Sequence, residues 1–422
     1  MKRDIRDLVR ARVARAGEAL SLGLACVAAA GLAQEPAAEI RGVPAQQKRA
    51  EILWTKVLCR QPGRYIGWPT VCARKNGELL AVFSGDRDEH VCPFGKVQMV
   101  RSADQGATWS PAANISNTPL DDRDAGIVEL PGGELLVSWF TSLAYQGSIR
   151  DRAKLTPGSP CFYWWLHDEK IPAAVKKEGL GYFTVRSSDG GTTWEAPARS
   201  PGTAPHGPIL LKEGRLLYVG ITYAGRAGIG CGEKAEISVA ESRDQGRSWQ
   251  RIGAIGLPEG ERIGDFHEPH AAEAADGRIV AQIRYHGKGG KLWQSESGDG
   301  GTTWATAWQT PLAGLPPHLL RLRSGKLVSA YGRRFEPYGE YACLSDDHGR
   351  TWDVANEIKL AGAPGLGRTR PGGGGHRDGD IGYPASAELP DGRILTVYYQ
   401  PEKEGDKPCL MGTLWRLKEE AP

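Results

Sequence analysis

Five short segments of the chain share the form S-x-D-x-G-x-[TS]-W: residues 102–109, 187–194, 242–249, 297–304 and 345–352. Their aspartates, Asp104, Asp189, Asp244, Asp299 and Asp347, stand 85, 55, 55 and 48 residues apart. That interval suits one four-stranded propeller blade with its loops, so the repeat restricts the chain to a radial all-β architecture. Within each octet the Asp can accept from backbone amides, the Gly can take positive φ, and the Trp can pack inward. This is turn chemistry, and the octets are expected to be structural.

A fainter repeat runs through the same region: a period-2 strand, a Gly turn and a second apolar strand. It occurs at 68–83, 124–140, 206–220, 268–284, 318–332 and 383–399. Such hairpins form the innermost strands of propeller blades, lining the central channel. Six copies predict one six-bladed β-propeller over residues 51–418, interrupted by an insertion at 144–180. The insertion carries Cys161-Phe-Tyr-Trp-Trp165 and a helix-compatible run from Asp168 to Gly179. It reads equally as a lid over the channel mouth or as a decoration on a blade rim. With 56 Gly and 28 Pro in 422 residues, a bundle of long helices is excluded.

Residues 1–33 join a basic stretch, Lys2 to Arg15, to an uncharged apolar run, Ala19 to Ala33. This reads as an export signal followed by a linker, 34–50, and predicts a secreted or periplasmic protein; the run is too short for a membrane span. The formal charge of +3 resides in that segment. The neutral remainder has no overall pull on nucleic acid. Seven cysteines follow, Cys59, Cys72, Cys92, Cys161, Cys231, Cys343 and Cys409, none in a C-x-x-C pair. The odd number leaves at least one unpaired, and the oligomeric state is not indicated.

Repeated Asp boxes on a six-bladed propeller resemble the sialidase (neuraminidase) superfamily, and the resemblance extends to single residues over roughly 50–415. Glu268 opens an inner strand and Arg284 follows sixteen residues later; Tyr383, after Gly382, opens the last blade. Glu268 and Tyr383 each stand nine residues before a turn glycine, Gly277 and Gly392, so they share one strand position. The resemblance implies retaining exo-hydrolysis of a terminal sialic acid or another acidic sugar, with a glycan or glycoconjugate as partner. Tyr383 would be the nucleophile and Glu268 its base, and Asp88, with Asp86 as second choice, the acid/base. The chemistry is coherent: a carboxylated sugar repels a carboxylate nucleophile, and a phenol of pKa about 10 needs a neighbouring base.

The chain also departs from the family pattern. Of the three arginines that hold the substrate carboxylate, the first precedes the Pro of an R-I-P motif by two residues. Here Trp68-Pro69 stands at that strand start and Gly67 replaces the arginine. Arg284 remains, Arg333 or Arg334 can serve as another, and Arg64, Arg87 or Arg123 can compensate. Trp68 is expected to form a wall of the site. His206, His267, His270, His318 and His376 fall at or just before inner-strand starts, and His206, His270 and His318 are expected to hydrogen-bond sugar hydroxyls. The H-E-P-H segment is not the helical H-E-x-x-H zinc signature, and Gly372–Gly375 lacks a P-loop Lys, so neither a metal nor a cofactor is called. The alternative is a non-catalytic Asp-box propeller that binds glycans or protein. Tyr383 and Glu268 together favour the enzyme, since a binder has no need of a phenol beside its base.

Overall fold

The computed structural model describes residues 47–223, 234–362, 379–403 and 405–418. The expected signal segment, Cys231 and His376 lie outside the described residues. Apolar residues alternate along short runs broken by Gly turns, and these runs form six four-stranded antiparallel sheets, the six blades of a propeller. In the first blade, Tyr65–Ala73 pairs with Leu79–Arg87, then Lys96–Ser102, then Ala113–Ser116. The inner strands of the next five are Asp121–Glu129, Ile209–Leu210, Phe266–Glu273, Leu315–Arg321 and Gly382–Glu388. Each of the six hairpin repeats becomes an inner strand and its neighbour.

Every octet lies between the third and fourth strands of a blade. Asp104 Oδ1 accepts from the Ser102 hydroxyl (2.7 Å) and the Thr108 amide (2.9 Å), while Oδ2 accepts from the Thr108 hydroxyl (2.6 Å). The same bonds recur at Asp189, Asp244, Asp299 and Asp347. Each turn thus satisfies its own polar groups. The Trp of the fifth octet, Trp352, is buried; the other four are half-buried against the cores between blades.

Five octets serve six blades because the sixth is closed differently. Its outermost strand, Ala50–Cys59, comes from the start of the described chain and pairs antiparallel with the last strand, Cys409–Leu417. No third-to-fourth-strand connection exists there, so no octet is required. Between blades six and one, Leu58, Ile66, Val71, Ala385, Leu395 and Val397 form a buried core.

The insertion in blade two contains two short helices, Pro160–Asp168 and Ala173–Gly179. Ser159 caps the first, with Pro160 at its first turn. Trp164 buries against Cys92, Tyr145 and Ile149, which docks the helix on the loop after the second strand of blade one. Among the described residues, no helix is long and apolar enough to cross a membrane. The six described cysteines, Cys59, Cys72, Cys92, Cys161, Cys343 and Cys409, form no disulfide with one another.

Candidate active site

Four inner strands begin with the same irregularity. The pairing register skips between Gly67 and Thr70, Arg123 and Gly126, His267 and His270, and Gly382 and Ala385. The residue inside each skip is left-handed although not glycine: Trp68 (φ 55°), Asp124 (55°), Glu268 (46°) and Tyr383 (56°). Each stands nine residues before its turn glycine, Gly77, Gly133, Gly277 or Gly392. A bulge re-aims the side chain, and a left-handed non-Gly residue costs on the order of 1–3 kcal/mol, which marks these positions as functional candidates.

Asp124, Glu268 and Tyr383 line one cavity of about 210 Å³ together with Arg123, Arg284 and Arg334. The Tyr383 hydroxyl donates to Glu268 Oε1 (2.6 Å) and accepts from Arg284 Nη1 (2.9 Å); the same Nη1 also donates to Glu268 Oε2. The sixteen-residue spacing follows from the hairpin, because the residue before Glu268, His267, pairs across it with Arg284. Burial opposes ionisation of Glu268, but the Arg284 guanidinium and the Tyr383 hydroxyl prevail and hold its pKa below the usual carboxylate range. Burial, then the Glu268 charge, raises Tyr383 well above an ordinary phenol. The hydroxyl therefore stays protonated at rest, with a carboxylate positioned to take its proton.

Arg334 is the second guanidinium, its Nε donating to Ile381 O (2.8 Å) and its Nη2 to the Tyr399 hydroxyl (2.8 Å). Arg333 points elsewhere, to Glu357 (2.6 Å) and over the Tyr341 ring (4.0 Å). Arg123 supplies the third, its Cζ 4.2 Å from the Trp68 ring centre and its Nη2 3.4 Å from His90 Nε2. His90 Nδ1 lies 3.2 Å from Asp380 Oδ1, which also accepts from the Tyr399 hydroxyl (2.9 Å). Burial disfavours the Asp380 charge, but His90, Arg334 and Tyr399 hold that carboxyl far below its usual range.

Several residues expected in the site lie outside this cavity. Asp86 pairs with Arg64 (2.9 Å) and Lys96, and Asp88 is held by Arg64 and by Trp164 Nε1 (2.7 Å), so the inserted helix anchors on the carboxylate expected to be the acid. Arg87 is fully buried, bonded to Asp121 (2.6 Å) and Ser84 (2.8 Å). Trp68 is also fully buried, a floor beneath Arg123 rather than an open wall, packed with Tyr65, Tyr383 and Tyr399. Gly67 has no room for an arginine without movement, since a Cβ would come within 2.9 Å of the Tyr65 ring.

His206, His270 and His318 line a second cavity, of about 390 Å³, deeper along the same inner strands. Burial lowers all three pKa values, that of His206 to about 3. His270 Nδ1 accepts from the Leu319 amide (2.9 Å) and His318 Nδ1 from the Ser386 amide (3.3 Å), which leaves the ring proton on Nε2. They fall deeper because they stand seven or eight residues before their turn glycines, Gly214, Gly277 and Gly325, rather than nine. Asp124, His90, His286 and Tyr223 were not expected among the site residues. For Asp124 the signal was available: counting nine residues back from Gly133 reaches it.

A family model described as a BNR repeat-like domain matches residues 165–394, just over half of the chain. The chain is similar to a solved protein of unknown function from Dyadobacter fermentans (TM-score 0.68, 23% identity, covering 87% of this chain and 99% of that one). It is similar to the Hadza microbial sialidase Hz136 (TM-score 0.57, 17% identity, 83% of this chain), of which it spans 65%. It is also similar to the alpha-L-arabinanase of Penicillium chrysogenum solved with arabinobiose (TM-score 0.53, 14% identity, 86% and 98%). At these identities the likeness is one of fold.

Proposed function

The chain belongs to the BNR repeat-like family, and from that membership we propose that it is an exported, retaining exo-glycosidase of sialidase type. The observation that carries this reading is the Tyr383 hydroxyl, bonded to Glu268 (2.6 Å) and Arg284 (2.9 Å) in a walled cavity. Tyr383 attacks the anomeric carbon as Glu268 takes the phenolic proton, and the bond to the departing sugar oxygen breaks as that oxygen is protonated. Water then displaces the tyrosyl group, and Glu268 returns its proton to the phenol. Arg123, Arg284 and Arg334 put three cations around the nucleophile, which suits a sugar with a carboxylate beside the anomeric carbon: sialic acid or a related acidic sugar. Arg123 enters from blade two, in place of the arginine absent at Gly67.

A panel of fluorogenic glycosides, with sialosides and neutral arabinosides as separate arms, tests the activity. A fluorinated sugar with a good leaving group tests the nucleophile, because the slowed intermediate should appear by mass spectrometry as an adduct on the peptide containing Tyr383. Glycan binding without turnover or adduct would make the chain a binding propeller instead.

A further inference from the structure

Proton delivery to the departing oxygen has no owner among the residues that sequence singled out, since Asp86 and Asp88 are tied in ion pairs outside the cavity. Asp124 occupies the same bulge position as the nucleophile and its base, lines the same cavity, and is 6% exposed. Its carboxyl meets no hydrogen-bond donor among the described residues, and Oδ1 is wholly buried. An ionised carboxylate without a hydrogen-bond donor in that position costs several kcal/mol, which favours the protonated form. The charged groups that act on it are Arg123 on its own strand, Arg87 from blade one, and Glu268 and Arg284 from blade four. Burial and the Glu268 charge raise its pKa against the pull of the arginines. One cavity therefore holds an ionised carboxylate clamped by a guanidinium and a second carboxyl whose burial favours the protonated form, the division of labour that an acid and a base require.

We propose that Asp124 is the catalytic acid/base, protonating the departing oxygen and then taking a proton from the incoming water. The inference rests on the glycosidase reading. In the first step the glycosidic C–O bond breaks, the Tyr383 oxygen bonds to the anomeric carbon, the Asp124 proton goes to the leaving oxygen, and the phenolic proton goes to Glu268. In the second, water adds to the anomeric carbon as the Tyr383 oxygen–carbon bond breaks, the water proton goes to Asp124, and the phenolate recovers its own from Glu268. Each group ends as it began, and the net reaction is hydrolysis.

The test compares the wild type with the near-isosteric Asp124→Asn on two glycosides of one sugar, carrying a strongly acidic phenol or an alkyl alcohol as leaving group. A proton donor matters only when the leaving oxygen needs a proton. Attack on the activated glycoside should stay within about tenfold of wild type, while kcat/KM on the alkyl glycoside falls roughly 10²–10⁴-fold. The alkaline limb of the wild-type pH profile should vanish on the activated substrate, and added azide should restore turnover by forming the glycosyl azide. Equal losses on both glycosides, with no azide effect, would make Asp124 a substrate-binding residue and overturn the assignment while leaving the glycosidase reading intact. Absence of wild-type turnover on every glycoside would overturn both. Carboxyl NMR of the unliganded protein provides a readout without activity: burial raises both Asp122 and Asp124, so of the aspartates titrating above the usual range one should disappear in Asp124→Asn while that of Asp122 remains, and an unchanged set would count against the proposal.

Discussion

Replacing Glu268 by Gln keeps the shape of the site but removes the charge that faces Arg284. The two side chains are 17% and 8% exposed and directly bonded, so this is a buried pair rather than a surface one. Removing one partner of such a pair leaves an uncompensated guanidinium and costs about 3–5 kcal/mol. The Tyr383 hydroxyl remains within reach of Arg284 at 2.9 Å, which argues for the lower end, about 3 kcal/mol. Arg284→Met should be costly in the wild type but cheap, or even favourable, in the Glu268→Gln background, giving a coupling on the order of 2–3 kcal/mol. Urea unfolding of the four proteins reads this directly if the m-values agree. The pH dependence has a definite sign. The folded-state pKa of Glu268 is depressed, so its contribution is fully present above an unfolded value of about 4.3 and is lost as pH falls through the folded one. The gap between wild type and Glu268→Gln should therefore narrow below about pH 4. An unchanged urea midpoint in Glu268→Gln, or equal costs for Arg284→Met in both backgrounds, would refute the buried pair and with it the account of the base.

Tyr383→Phe leaves Glu268 bonded to Arg284, so it should cost only about 1–3 kcal/mol of stability while reducing turnover roughly 10³-fold or more; a Phe variant with wild-type kcat would exclude the tyrosyl intermediate. Trp352→Ala should lower stability by about 3–5 kcal/mol, and Trp304→Ala, half-buried, by less, with kcat/KM per folded molecule unchanged in both; selective loss of turnover would give the octets a catalytic role. Burial opposes the charges of Asp104 and Asp244, yet the Thr108 and Ser248 hydroxyls and amides hold both pKa values at about 2. Their contribution is complete above the unfolded pKa of about 3.9 and disappears toward pH 2, so Asp104→Asn and Asp244→Asn should flatten the acid limb of a stability–pH curve; an unaltered limb would contradict this.

The blades were legible because their signals are local: alternation of period 2, a glycine turn and an octet all fit within one hairpin. The shared position of Glu268 and Tyr383 was legible for the same reason, since a bulge nine residues before a turn is counted along one strand. Asp124 obeys the same count, whereas the family resemblance points to the loop after the second strand of blade one. The fate of that loop depends on a helix from another blade: Trp164 pins Asp88, and nothing near Asp88 in sequence indicates this. Arg333 and Arg334 likewise differ by one residue and face opposite ways, a choice set by Glu357 on one side and Tyr399 on the other. Trp68 resembled a sugar-stacking wall by type, but arginines at 4.2 and 4.7 Å roof it over.

The strand Ala50–Cys59 completes the sixth blade by pairing with residues that a ribosome adds more than three hundred positions later, Glu51 meeting Arg416. During synthesis, five blades can assemble in order while this early strand stays single and the sixth sheet lacks its rim. Ring closure therefore waits for the strand Cys409–Leu417, and its rate is governed by a long-range encounter rather than by local hairpins. Until then the growing ring presents an open β-edge, the kind of surface that recruits chaperones or neighbouring chains. Once made, the same join acts as a clasp: a break in the backbone just after Cys59 would leave the strand held only by its hydrogen bonds and packing, and the ring could open there first.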